Sequence, residues 1–277
     1  MKREIQDSKI MDREIQEKLD KLREVIREKG ALVIAFSGGV DSSLIAKVAY
    51  DELGEKAVAV TIDSDTFSKR ELEAAKEVAK EIGIQHKVME LSELDNADFV
   101  MNPVDRCYHC KKEEMTAMKE VAKEYGFKHI AFGVNMSDFG EHRPGIKALN
   151  EENFSQPLVE AGIGKDRIAA IARSVGLSNY NMPSTTCLAS RIPYGRSITS
   201  KKLNQVEEAE ALFYSLGFSQ SRVRNYGDTA RIEVYADEIE NVVKNREAIV
   251  SKLKGLGFSY VTLDLEGYRS GSMNEVL

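Results

Sequence analysis

Long apolar runs are missing from this chain. The longest, Ala31 to Phe36, falls far short of the ~18 residues that cross a bilayer, so no membrane span and no membrane partner are expected. Cysteine is scarce. Cys107, Cys110 and Cys187 are the only three, an odd number that cannot pair off, and disulfides are rare in reducing compartments. The stretch up to Gly30 mixes both charge signs and lacks the apolar centre of a signal peptide, so the expected location is the cytoplasm. A basic excess is missing as well: 39 Lys plus Arg against 45 Asp plus Glu leave −6, which does not advertise a nucleic-acid partner. What remains is ordinary. With 277 residues, 42% apolar and 30% charged, the chain can bury a real core and form one domain of moderate size plus a smaller one.

Hydrophobic periodicity organises the first half. Ile15, Leu19, Leu22 and Ile26 recur at helical spacing up to Gly30, the mark of an amphipathic helix. Ala31 to Phe36 then reads as a strand buried on both faces, followed by a helix over 44–53 that stops at Gly54. The cycle repeats: a strand over 57–62, a helix over 68–82 stopped by Gly83, a strand over 84–89, a helix over 111–125 and a strand over 129–134. Such alternation specifies an α/β fold, a parallel sheet flanked by helices. Periodicity fades from Ser137 to Gly164, returns in a helix over 165–175, and fades again from Asn179 to Ser200. The expected domains are 1–195 and a small α+β domain at 196–277, with helices near 200–216 and 237–255 and extended runs at 221–225, 230–235 and 258–264.

Directly after the first strand comes Ser37-Gly38-Gly39-Val40-Asp41-Ser42-Ser43, and then a helix. Two glycines let backbone approach an anion, and the helix start supplies N–H groups and the positive end of its dipole. Without a lysine the loop fails the Walker A pattern. The plain alternative is a tight turn with Asp41 or Ser42 as helix cap.

Cys107-Tyr108-His109-Cys110-Lys111 places two thiols three positions apart at a helix entrance, a spacing that suits one metal centre. A redox pair and two buried structural cysteines are the alternatives. Cys187 lies close to Arg191, a cation that would favour its thiolate. Arg222 and Arg224 alternate onto one face of an extended run, where two guanidinium groups can clamp a phosphate; a solvated basic face is the other reading.

The loop with its flanking strand and helix resembles the SGGxDS loop of the PP-loop ATP pyrophosphatases. That resemblance implies ATP cleavage between the α and β phosphates, with the loop holding pyrophosphate and its acidic residue helping to hold Mg2+. Ser37, Gly38, Gly39, Asp41, Ser42 and Ser43 take these positions, and Asp63-Ser64 falls where the class binds adenosine, unless it is a mere surface turn. Further motifs narrow the likeness: Cys-Tyr-His-Cys-Lys, Arg143-Pro144-Gly145, Ser190-Arg191 before Pro193-Tyr194-Gly195, Arg222-Val223-Arg224, Ala230-Arg231-Ile232-Glu233, and the stretch Asp264 to Asn274. In that order they resemble the LarE family, ATP-dependent sulfur transferases that help build the nickel-pincer nucleotide cofactor of lactate racemase. The similarity runs from about residue 18 through nearly the whole chain.

Membership would imply a small-molecule substrate, pyridinium-3,5-biscarboxylic acid mononucleotide, whose carboxylate is adenylylated and then converted to a thiocarboxylate. By motif position, Ser190, Arg222 and Arg224 would hold the substrate phosphate. Lys111 and Arg191 would neutralise charge where adenylate and sulfur meet, and Glu210 and Glu233 would share the pocket. Some members sacrifice the sulfur of one cysteine; others hold an iron–sulfur cluster on three. With Cys107, Cys110 and Cys187 all present, a [4Fe–4S] cluster bearing the transferable sulfide is expected, with zinc or sacrifice of Cys187 as alternatives. Family members form homo-oligomers, and a sulfur-supplying protein is a further partner to be identified. The rivals are tRNA thiolation, disfavoured by a net charge of −1 over 196–277, amide synthesis, which has no use for thiols, and a zinc-stabilised binding module, which leaves the phosphate loop unexplained.

Overall fold

The computed structural model describes residues 2–140, 144–183 and 185–275, with side chains from Arg13 onward. Its helices are α1 (Lys2–Lys29), α2 (Val40–Leu53), α3 (Lys69–Ile82), α4 (Ala97–Val100), α5 (Arg106–Tyr125), α6 (Pro144–Glu151), α7 (Pro157–Glu160), α8 (Lys165–Ser174), α9 (Ser200–Ser215), α10 (Ile239–Lys244) and α11 (Arg246–Gly255). The strands are β1 (Leu32–Ala35), β2 (Ala57–Ser64), β3 (Gln85–Leu91), β4 (His129–Ala131), β5 (Ser221–Asn225), β6 (Thr229–Val234) and β7 (Tyr260–Leu263). They divide between two compact units. The first comprises residues 1–64, 69–91 and 107–185, and the second 65–68, 92–106 and 186–277.

The first unit is built on a parallel four-stranded sheet of order β3-β2-β1-β4. Every β1 residue is buried, because helices cover both faces. Leu32, Ile34, Ala57 and Ala59 pack on one side with α1, α2, α3 and α8. Val33, Ala35, Val58 and Val60 pack on the other with Met115 and Met118 of α5 and Leu149 of α6. The alternation of Cβ directions along a strand produces this division. β3 stands at the sheet edge, and its residues are exposed or part-buried.

The second unit carries a three-stranded sheet, β5-β6-β7, with an antiparallel and a parallel pairing. Val223, Ile232 and Val234 pack with Phe213 of α9 and Leu253 of α11. The opposite face carries charge, since Arg222 lies across from Glu233 and Arg224 across from Arg231. One helix expected over 237–255 is two, because the chain leaves helical geometry at Asn245, whose side-chain amide donates to the Asn241 carbonyl at 2.8 Å. Among the described residues no helix is long and apolar enough to cross a membrane.

Candidate active site

The phosphate loop sits at the carboxyl end of β1, where ligands bind in open α/β sheets. Gly38 has φ 71°, and a Cβ there would lie 2.7 Å from Ala75 Cα of α3, so only glycine fits both the backbone and the space. Neither Asp41 nor Ser42 is the helix cap. Gly39 takes that position with no side-chain cap bond, and its own N–H donates to Ser37 Oγ at 3.3 Å. The loop braces itself instead: Ser37 N–H donates to Ser42 Oγ at 3.2 Å, Ser42 Oγ donates to Gly39 O at 3.1 Å, and Ser43 N–H donates to Gly39 O at 2.9 Å. At its root, Thr61 Oγ1 donates to Phe36 O at 2.6 Å. Asp63 and Ser64 close β2, part-buried.

Two loop neighbours carry no motif signal. Asn135 is buried and donates from Nδ2 to Asp41 Oδ2 at 2.7 Å, while its own position is fixed by N–H donation to Asp138 Oδ2 at 3.0 Å. Asn179 donates to Gly38 O at 2.8 Å and to Ser43 Oγ at 3.0 Å. A lone asparagine in an aperiodic stretch reads as a turn former, and only the tertiary fold brings these two to the loop.

The cysteine turn also belongs to the first unit. α5 begins at Arg106 rather than at Lys111, so Cys107 and Cys110 lie in its opening turns. Neither is in a disulfide; Cys107 is exposed and Cys110 part-buried. Tyr108 between them donates to Glu151 of α6 at 2.7 Å. Lys111 pairs with Glu114 and lies 5.0 Å from the Phe132 ring centroid. Burial works against its charge, but the Glu114 carboxylate outweighs it and holds the ammonium above its ordinary range. Gly145 packs close by, 3.5 Å from the Cys107 carbonyl if given a Cβ. Arg143 of the same motif lies outside the described residues.

In the second unit Arg191, 4% exposed, organises the Cys187 loop. Its Nε and Nη2 donate to both Glu210 oxygens at 2.9 and 2.8 Å, and Nη1 reaches the carbonyls of Thr186 and Cys187 and the Ser190 hydroxyl. Burial alone would raise the Glu210 pKa, but the Arg191 guanidinium, with Arg222 and the Val223 N–H, holds it below the usual carboxylate range. Replacing Glu210 by Gln therefore leaves a buried cation unpaired, and should cost about 3 kcal/mol of stability in urea unfolding.

Arg224 donates to Ser190 O at 3.1 Å, Glu233 at 2.7 Å and Ser272 Oγ at 3.2 Å. Glu233, fully buried, also accepts from Arg231 at 2.8 Å. Arg222 differs. Its Nη1 is used by Gln220 and Ser221, while Nη2 is buried with no hydrogen-bond partner among the described residues. Buried N–H groups rarely stay unpaired. Burial and the neighbouring Arg191 push the Arg222 pKa down, with Glu210 only partly offsetting them, so an anion here would add a favourable partner. Arg224 thus meets the Ser190 carbonyl, and Arg222 lies on the same strand face as Arg224.

Residues 14–130 match the family model described as NAD synthase, a span that ends before the Cys187 loop and the arginine face. A fuller likeness covers both. The chain is 35% identical to pyridinium-3,5-bisthiocarboxylic acid mononucleotide synthase of Lactiplantibacillus plantarum over 91% of its own length and 92% of that protein. The chain belongs to the LarE family. It is also 42% identical to an uncharacterised Synechocystis protein, covering 95% of this chain and 99% of that one. By contrast, the NH3-dependent NAD+ synthetase of Pyrococcus horikoshii is 38% identical over 30% of this chain. This LarE homologue is therefore an enzyme of the PP-loop, NAD synthase-like class, which uses ATP.

The thiols suit iron–sulfur chemistry, but Cys107 and Cys110 are not joined by a third ligand: no group of three or more His, Cys, Asp or Glu stands ready for a metal among the described residues. Magnesium asks for less, one or two carboxylates beside substrate phosphates, and Asp41 in the first turn of α2 offers such a group.

Proposed function

We propose that the chain adenylylates a carboxylate of pyridinium-3,5-biscarboxylic acid mononucleotide and converts it to a thiocarboxylate. A carboxylate is a poor electrophile. Its oxygen attacks the α-phosphorus of ATP, pyrophosphate departs, and a sulfur nucleophile then adds to the acyl carbon and expels AMP. The observation that carries the reading is a glycine-rich loop leading into a helix that no side chain caps, and the full-length likeness to the synthase supports the choice of substrate. Asp41 would hold Mg2+ against the departing pyrophosphate, Asp63 and Ser64 would meet the adenosine, and Lys111 would offset the charge of the adenylate. Arg191, committed to Glu210 and the Cys187 carbonyl, would contribute by holding the Cys187 loop. Cys107, Cys110 and Cys187 would ligate a [4Fe–4S] cluster, whose extra sulfide would supply the sulfur. A cytoplasmic homo-oligomer, recharged by a sulfur-supplying protein, is the proposed working form. Incubation with ATP and the mononucleotide should release pyrophosphate and give a thiocarboxylate by mass spectrometry; adenylylation of tRNA instead would replace this reading.

The buried, unpartnered Nη2 of Arg222 supports a phosphate-binding role for this arginine face. A charge-assisted hydrogen bond contributes roughly 1.5 to 3 kcal/mol, so Arg222→Ala or Arg224→Ala should weaken mononucleotide binding about tenfold or more and leave ATP binding nearly unchanged. Calorimetric titration with each ligand checks this. Equal losses for both would move the arginines to a structural role.

A further inference from the structure

We infer that Asn179 is a positioning residue for the phosphate loop, acting from outside it through the Gly38 carbonyl and the Ser43 hydroxyl. The inference rests on the ATP reading above. Proton accounting fixes the orientation of the side chain. Gly38 O can only accept, so the amide nitrogen must face it at 2.8 Å, and the second amide proton is directed to Ser43 Oγ at 3.0 Å. Ser43 is fully buried. With a lone pair already taken by Asn179, its own hydroxyl proton is the one it has to offer. Asn179 Oδ1, meanwhile, is buried with no hydrogen-bond partner among the described residues. A side chain kept there at the cost of an orphaned oxygen is kept for its two donors.

The residues on either side are anchored, so Asn179 is held against the loop by a rigid support. Ser178 N–H donates to Glu81 of α3 at 2.9 Å, and its hydroxyl donates to the same carboxylate. Tyr180 packs against the core of the first unit, and the Arg173 guanidinium lies 5.7 Å from its ring centroid. Helix α3 meets the loop independently, through Ala75 against Gly38. The left-handed peptide at Gly38 thereby lies against α3 on one side and is tied by Asn179, whose neighbour Ser178 is bonded to α3. A loop fixed in this way presents its N–H groups without having to order them when phosphate arrives.

The test is titration of the full chain with Mg-ATP and, separately, with the pyridinium mononucleotide. Asn179→Ala should weaken ATP binding about five- to thirtyfold and leave mononucleotide binding unchanged. Asn179→Asp, close in shape but with no donor and with added negative charge, should weaken ATP binding more than Asn179→Ala; it also covers an alanine variant that fails to fold. A double-mutant cycle with Ser43→Ala should be non-additive, because the two changes remove a shared bond. ATP affinity unchanged in both variants, or equal losses for ATP and mononucleotide, overturns the inference while the parent still binds ATP. A parent protein that binds no ATP fails the underlying reading instead.

Discussion

Asp41→Ala should abolish pyrophosphate release, lowering its rate by about 10²–10³-fold or more, the scale seen when one preorganised electrostatic group is removed from a reacting centre. The fold should survive. An acidic group in the first turn of a helix contributes about 0.3–1 kcal/mol through the dipole, and Asn135 loses one acceptor, so the stability loss should stay near 1–3 kcal/mol. Asp41→Asn separates charge from geometry, since its amide oxygen can still accept from Asn135, which donates to Asp41 at 2.7 Å. If the carboxylate serves to hold magnesium, Asn fails almost as badly as Ala. If Asp41 only receives the Asn135 bond, Asn is nearly active. A coupled pyrophosphate assay with saturating mononucleotide distinguishes the two, and release at the parental rate in either variant would remove Asp41 from the metal site.

The sheet was legible because parallel strands covered on both faces must be continuous apolar runs, as Leu32–Ala35 and Ala57–Val60 are. The phosphate loop was legible because glycine at 38 is required by φ and by Ala75 together. The true start of α5 was not. Arg106 to Cys110 show no apolar period; what holds the helix start is Arg106, donating to the buried Asn102 at 2.7 Å and lying 4.8 Å from the Tyr194 ring centroid. Asn102 in turn donates to the carbonyls of Ile192, Pro193 and Arg196. Contacts ninety residues apart leave no local trace. Asn135 and Asn179 escaped for the same reason. The arginine face was half legible: alternation put Arg222 and Arg224 on one side of a strand, but nothing in it said that Arg224 would be neutralised by Glu233 while Arg222 kept a buried donor unpaired.

Cys187→Ser should stop thiocarboxylate formation while pyrophosphate release continues, because the ATP loop belongs to the first unit and Cys187 to the second. The loss should reach background, whichever way sulfur is supplied. The fate of the cysteine then decides the source. Cys187 begins a short 3-10 turn over Leu188–Arg191, its carbonyl receiving Arg191 Nη1 at 2.9 Å and Ser190 Oγ at 2.8 Å. A sacrificial route breaks the Cys187 Cβ–S bond, gives the sulfur to the product and the Cα proton to a base, and leaves dehydroalanine. A cluster route consumes an exogenous sulfide, leaves the three cysteines unchanged and can be recharged with free sulfide. The paired thiols of Cys107 and Cys110, three positions apart in the opening turns of α5, favour the second, since the first has no use for them. Zinc on the same thiolates would bring no sulfide of its own. Protein purified anaerobically should contain iron and acid-labile sulfide, and after turnover its mass should show all three cysteines intact. Dehydroalanine at position 187, in protein that had turned over with its metal in place, would sink the cluster mechanism.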